Sequence, residues 1–128
     1  MGWLLDTSVA IAVRDADPSY RAQIDALGSD IAISVITRVE LEGGVHREPA
    51  YAHLRRARLD LFLANVEVLP FNGQSADRYR TILEVCGFSR RKTLDRMIAA
   101  EALAYDAILV TLNGADFSDI PGLKFAAW

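Results

Sequence analysis

Cysteine is almost missing from this 128-residue chain. Cys86 stands alone, so no internal disulfide can form, and the chain suits a reducing cytoplasm. Histidine is scarce as well. His46 and His53 lie seven residues apart with no partner that completes a metal motif, and both read as surface residues. None of the eight glycines falls in a phosphate-cradling loop, since Gly43-Gly44 lacks the spacing. No apolar run approaches the roughly 18–20 residues of a membrane helix. The opening Met1-Gly2-Trp3-Leu4-Leu5-Asp6 has no basic segment before its apolar stretch, and Asp6 interrupts that stretch at once, unlike a signal peptide. Positive charge is not in excess either. Seventeen acidic and fourteen basic residues give −3, which excludes a uniformly basic nucleic-acid coat.

The chain is 52% hydrophobic, too apolar for disorder, and has the length of one domain spanning 1–128. It shows no linker, repeat or low-complexity tract. Its charge is polarised. Residues 51–100 carry nine basic and five acidic side chains, and the remainder five and twelve. Twelve of the fourteen basic residues are arginine, whose planar fork can bond two phosphate oxygens at once.

The apolar pattern changes period repeatedly. Trp3-Leu4-Leu5, Ile31–Val35, Val66–Leu69 and Ala107–Thr111 are short runs bounded by turn residues, as buried strands are. Leu123-Lys124-Phe125 reads as a fifth. Between them, 18–27, 50–64, 73–86 and 94–105 show a 3.6-residue period. The first groups Tyr20, Ile24 and Leu27. The second groups Leu54, Leu61 and Phe62, the third Tyr79, Ile82, Leu83 and Cys86, and the last Leu94, Ile98, Ala102 and Tyr105. Strands alternating with helices predict an α/β fold, a three-layer α/β/α sandwich around a mostly parallel sheet of four to five strands. Such folds bind ligands at the edge where the strands' carboxyl ends lie.

Four acids fall at that edge. Asp6 follows the first strand, Glu40 opens the helix after the second, Asp95 opens the helix leading to the fourth, and Asp116 follows the fourth. Each also has a structural reading. Asp6 fits a helix cap, Thr37 with Glu40 fits a capping box, Asp95 suits a helix N-terminus, and Asp116 fits a turn. Together, however, four crowded like charges raise one another's pKa unless a cation sits among them. Oxygen donors of this kind suit Mg²⁺ or Mn²⁺.

The stretches Leu4-Leu5-Asp6-Thr7-Ser8-Val9, Ser34-Val35-Ile36-Thr37-Arg38-Val39-Glu40-Leu41, Leu94-Asp95-Arg96-Met97-Ile98-Ala99-Ala100, and Val110-Thr111-Leu112-Asn113 with Asp116-Phe117 stand in an order and spacing that resembles the PIN-domain ribonucleases, in particular VapC toxins of type II toxin–antitoxin systems. The resemblance implies a Mg²⁺- or Mn²⁺-dependent endoribonuclease, acting on RNA such as tRNA, that forms a homodimer and is neutralised by a cognate antitoxin. It implies that Asp6, Glu40, Asp95 and Asp116 form the metal-binding catalytic quartet, supported by the polar Thr7, Ser8, Thr111 and Asn113. Two positions depart from the family pattern. Arg96 stands where a small residue is usual, and Leu112 where an arginine is frequent. Neither touches the quartet.

On this reading Asp6, Asp95 and Asp116 ligate metal, and Glu40 completes the site or orders a water. RNA would be held by an arginine rim drawn from Arg55, Arg56, Arg58, Arg90, Arg91, Lys92 and Arg96. The run Ser89-Arg90-Arg91-Lys92 is preferred because it directly precedes the Asp95 helix. Two rivals remain. One is a PIN-like module that binds RNA or protein without cutting. The other is a receiver-type signalling domain, which wants an acid after the third strand where Leu69-Pro70-Phe71-Asn72 supplies none.

Overall fold

A computed structural model describes residues 2–128. Five strands form: β1 (Trp3–Leu5), β2 (Ile31–Ser34), β3 (Glu67–Leu69), β4 (Ile108–Thr111) and β5 (Phe125–Ala127). All pair in parallel, in the order β3-β2-β1-β4-β5. The chain builds outward from β1 to β3, then crosses to the other side of β1 for β4 and β5. The strand order therefore reverses between β1 and β4, and a crevice opens at the carboxyl end of such a switch point.

Six α-helices connect the strands: α1 (Thr7–Arg14), α2 (Arg21–Leu27), α3 (Val35–His46), α4 (Ala52–Leu63), α5 (Gly73–Cys86) and α6 (Thr93–Ala104). Alternation along the strands assigns side chains to the two faces. Leu4 and Leu109 pack with Ile82 of α5 and with Ile98 and Ala102 of α6. Their neighbours Leu5 and Val110 point the other way, into a core with Val9, Leu41 and Leu59 from α1, α3 and α4. The three-layer sandwich expected from the sequence is therefore present.

Several boundaries differ from the sequence reading. The second strand ends at Ser34, one residue short of the run read from the sequence, because its hydroxyl accepts from the Ile36 amide and caps α3 three residues before Thr37. Thr37 and Glu40 are thus interior to α3, and the predicted capping box is replaced by Ser34. The segment 18–27 is split into a 3₁₀ turn at Pro18–Tyr20 and α2, of which only Leu27 is buried. In α4 the buried residues are Leu59 and Phe62, whereas Leu54 and Leu61 face solvent. On α6, Leu94 and Tyr105 are likewise exposed. The last strand is Phe125–Ala127, two residues beyond the expected one, where its backbone lies in register with β4. Cys86 is half-buried, its thiol donating to the Asp119 carbonyl, and both histidines are exposed as expected. No helix among the described residues is long and apolar enough to cross a membrane.

Leu109 is fully buried at the centre of one core layer, beside the switch point. Leu109→Ala is expected to lower unfolding free energy by about 2–5 kcal/mol, read from urea denaturation.

Candidate active site

Asp6 occupies the first position past β1. Its backbone N–H donates to the Val110 carbonyl at 3.0 Å, so the turn out of β1 is pinned to β4. Its Oδ1 accepts from the Val9 amide at 3.0 Å and caps α1. Ser8 Oγ also donates to Oδ1 while accepting from the Leu112 amide at 3.2 Å. One oxygen of Asp6 is thereby committed to structure. Among the described residues none donates to the other, Oδ2.

Glu40 reaches the same place from the second turn of α3. Thr7 Oγ1 lies 2.6 Å from Glu40 Oε1 and 3.1 Å from Thr37 Oγ1. A hydroxyl has one proton, so the shorter contact takes it, and Thr37 donates to Thr7 in turn. The pair ties the first turn of α1 to α3 and leaves Glu40 Oε2 without a donor among the described residues.

Asp95 lies in the first turn of α6, where the helix dipole favours an anion. Its carboxyl is nevertheless held above the ordinary carboxylate range. Burial is the largest cause, followed by the charges of Asp6, Asp116 and Glu40, with Arg91 pulling the other way. The four acids therefore share one electrostatic site although they are up to 110 positions apart in sequence. Asp116 closes the far side on a 3₁₀ turn, Gly114–Asp116. Thr111 and Asn113 shape that turn. Thr111 Oγ1 accepts from the Asn113 amide at 2.9 Å, and the Asn113 carbonyl accepts from the Asp116 amide at 3.0 Å. Gly114 is needed there because any Cβ would lie 2.9 Å from the Ala127 methyl on β5.

The donors are all oxygen and all anionic, which suits a hard divalent cation in chemistry and sign. In distance they are less tightly drawn. Among the described residues, no three Asp, Glu, His or Cys side chains are grouped so as to hold an ion.

The basic residues divide into two sets. Arg55 pairs with Glu48, Arg56 with Glu42 and Asp60, and Arg58 with Asp15, all beside or on α4. Arg90, Arg91 and Lys92 make no ion pair among the described residues and sit on the turn that opens α6. Arg96 corrects the sequence reading. It is 4% exposed, donates to the Gly87 carbonyl at 2.7 Å and lies 3.6 Å from Asp119, so it is spent on joining α5 to α6 and is withheld from solvent and RNA. Gly87 adopts φ +76° to end α5, which turns that carbonyl to Arg96. An open cavity of about 270 Å³ extends from Thr7 and Glu40 towards Arg14, Arg47 and Arg55.

Two buried residues were not singled out by the sequence reading: Ser34, the cap of α3, and Glu101 on α6. Ser34 Oγ donates to Glu101 Oε1 at 2.9 Å. A serine ending a β-branched run is a cap signal, but nothing in the sequence indicates its partner 67 positions away.

A parallel α/β domain with four acids at the carboxyl edge beside its switch point defines a class whose ligand site lies at that edge. Residues 3–123 match the PIN domain family, and the chain belongs to it. It is 33% identical to ribonuclease VapC2 of Rickettsia felis, across 100% of this chain and 98% of that protein. It is 28% identical to the tRNA(fMet)-specific endonuclease VapC of Salmonella typhimurium, across 98% and 97%. Among solved structures, VapBC2 of Rickettsia felis bound to a promoter DNA fragment superposes with a TM-score of 0.84 at 31% identity, covering 100% of this chain and 99% of that one. DNA-bound VapBC of Salmonella typhimurium gives 0.84 at 28%, covering 100% and 98%. PIN-domain ribonucleases are in general dependent on a divalent metal.

Burial raises the Glu101 carboxyl from the ordinary 4.5 to about 7. Between those values the folded chain keeps a proton that the unfolded chain releases. The stabilising contribution is therefore full below pH 4.5 and is lost as pH rises towards 7. Relative to Glu101→Gln, the wild type is expected to lose up to about 1.4 kcal/mol of stability per pH unit across that window. Thermal denaturation at half-unit steps checks this, and parallel curves for the two proteins would refute it.

Proposed function

We propose that residues 1–128 act as one domain, a metal-dependent endoribonuclease that is the toxin of a toxin–antitoxin pair. The observation that carries the reading is the placement of Asp6, Glu40, Asp95 and Asp116 at the carboxyl edge of the parallel sheet, where burial and the other three charges raise the carboxyl of Asp95. Three isolated structural acids would not act on a fourth in this way. Similarity to VapC ribonucleases over the whole chain supports the same reading.

Asp6, Asp95 and Asp116 would hold a divalent metal, and capping leaves Asp6 Oδ2 without a donor among the described residues. Glu40 would complete the site or order a water, its Oε1 being held by Thr7. Mg²⁺ or Mn²⁺ held there would supply Lewis acidity towards a water and the phosphodiester. Thr7 and Ser8 fix the inner oxygens of Glu40 and Asp6, so the outer ones face the crevice. Thr111 and Asn113 set the turn that presents Asp116. No side-chain nucleophile is required. The crevice itself repels phosphate, so the backbone of the RNA, such as a tRNA, is held by Arg90, Arg91 and Lys92.

The partner is a cognate antitoxin, as in the VapBC complexes that share this fold. Ile11, Tyr51, Leu54 and Leu61 on and beside α1 and α4 are exposed and offer it an apolar surface. The protein works in the cytoplasm as a homodimer.

Asp6→Asn and Asp95→Asn are expected to reduce cleavage of total RNA in Mn²⁺ by at least about a hundredfold, to the level of an EDTA control. Asp95→Asn should also raise the melting temperature of the metal-free protein, since it removes a half-buried charge from among its like. Full activity in either variant overturns the site. Metal-independent RNA binding without any cleavage by the wild type would mark a binding module instead.

Replacing Arg90, Arg91 and Lys92 with alanine should weaken RNA binding and lower the slope of log K against log salt by about 0.7 for each phosphate no longer neutralised. Fluorescence anisotropy of labelled single-stranded RNA between low and moderate salt measures this. An unchanged slope moves the RNA path elsewhere.

A further inference from the structure

Glu101 is a fully buried acid that the proposed chemistry leaves unused. It projects from α6, six residues beyond Asp95. Its Oε1 accepts from Ser34 Oγ at 2.9 Å, and Ser34 Oγ accepts from the Ile36 amide at 2.9 Å. Ser34 is itself fully buried. A hydrogen-bonded line thus runs from the N-terminus of α3, through the carboxyl end of β2, into α6. Among the described residues it is the one side-chain hydrogen bond that joins α6 to this strand–helix unit. α3 carries Glu40 and α6 carries Asp95, so the line connects two walls of the acidic crevice from beneath.

A carboxyl is a costly way to fill this space. Its Oε2 is buried with no hydrogen-bond partner, and an apolar side chain of similar volume would meet no such penalty. Burial favours the neutral form and the bond from Ser34 opposes that. No charged group on α3, α6 or the sheet adds to the shift. The neutral form lets the carboxyl accept from Ser34 without placing a fifth negative charge behind the crevice.

We propose that Glu101 is a positioning residue for the acidic crevice: through Ser34 it latches α6 to the N-terminus of α3 and so sets the spacing between Asp95 and Glu40. The functional consequence rests on the nuclease reading above; the latch itself does not.

Three variants of the whole chain test it: Glu101→Gln, which keeps an acceptor and removes the ionisation, Glu101→Leu, which removes the acceptor, and Ser34→Ala, which removes the donor. Mn²⁺ affinity is read by calorimetry on RNA-free protein, cleavage as kcat and KM, and backbone position as the amide NMR shifts of Glu40 and Asp95. Glu101→Gln is expected to stay within about twofold of wild type in Mn²⁺ affinity and kcat. Glu101→Leu should bind Mn²⁺ about tenfold more weakly, as loss of an outer partner of a metal site does, with kcat falling more than KM and the Glu40 amide shifted. Ser34→Ala should follow Glu101→Leu. Wild-type Mn²⁺ affinity and unmoved Glu40 and Asp95 amides in folded Glu101→Leu would overturn the latch. If that variant does not fold, the same result in Ser34→Ala overturns it. A wild type that neither binds Mn²⁺ nor cuts RNA would defeat the nuclease reading, and the amide shifts would still decide the latch.

Discussion

Holding four carboxylates at one rim works against their mutual repulsion, and most of the polar structure around the crevice can be understood as the restraint that holds them. Asp6 is fixed by three contacts, to Val110, Val9 and Ser8, before any charge is considered. Glu40 is fixed by Thr7, and Asp116 by the turn that Thr111 and Asn113 shape. Asp95 has no side-chain hydrogen bond among the described residues, and burial and the neighbouring acids raise its carboxyl. Asp6 and Glu40 have a carboxylate oxygen held by a hydrogen bond, Asp116 is placed by its backbone turn, and Asp95 by its helix.

That placement explains why α6 is tied down so thoroughly. Arg96 joins its first turn to the end of α5, and Glu101 joins its second half to the cap of α3. Both are charged residue types taken almost wholly out of water, which is rare unless they are partnered. Each reaches across to a different neighbour, so α6 is held on two sides. A helix packed by apolar contacts alone can slide or rotate by a fraction of a turn at modest cost. Directional bonds at two points remove that freedom, and with it the freedom of Asp95.

The sheet and the edge on which the four acids stand are legible in the sequence for the same reason. Short β-branched runs ended by turn residues mark strands, and in a parallel α/β fold the ends of those strands fall on one edge. That rule places Asp6 and Asp116, and position in a helix places Asp95. Glu40 stands at the edge on the second turn of α3 and not the first, because Thr37 imitates a cap that Ser34 provides. Leu54, Leu61 and Leu94 share a helical stripe with core residues yet face solvent, because periodicity shows which residues are aligned and not how wide a strip the sheet covers. Arg96 misleads because its neighbour Asp95 is at the site. Adjacent residues on a helix point about 100° apart, so the side chain after a site residue is turned towards a different neighbour.

The bond between Ser34 and Glu101 is beyond the reach of sequence for a deeper reason. It joins residues 67 positions apart, and although Ser34 opens the stretch that carries Glu40, nothing in that stretch points to Glu101. The same holds for the division of labour among the arginines. Composition marks all twelve as possible phosphate contacts, but folding consumes Arg14, Arg55, Arg56 and Arg58 in ion pairs and buries Arg96. The basic turn at Arg90 to Lys92 makes no ion pair among the described residues, and Arg91 is near enough to lower the Asp95 carboxyl. Its proximity to the crevice follows from the same geometry that puts Asp95 there, since both belong to the opening of one helix. Cation and anion are therefore delivered to the rim together, and any shift of α6 that displaces one displaces the other.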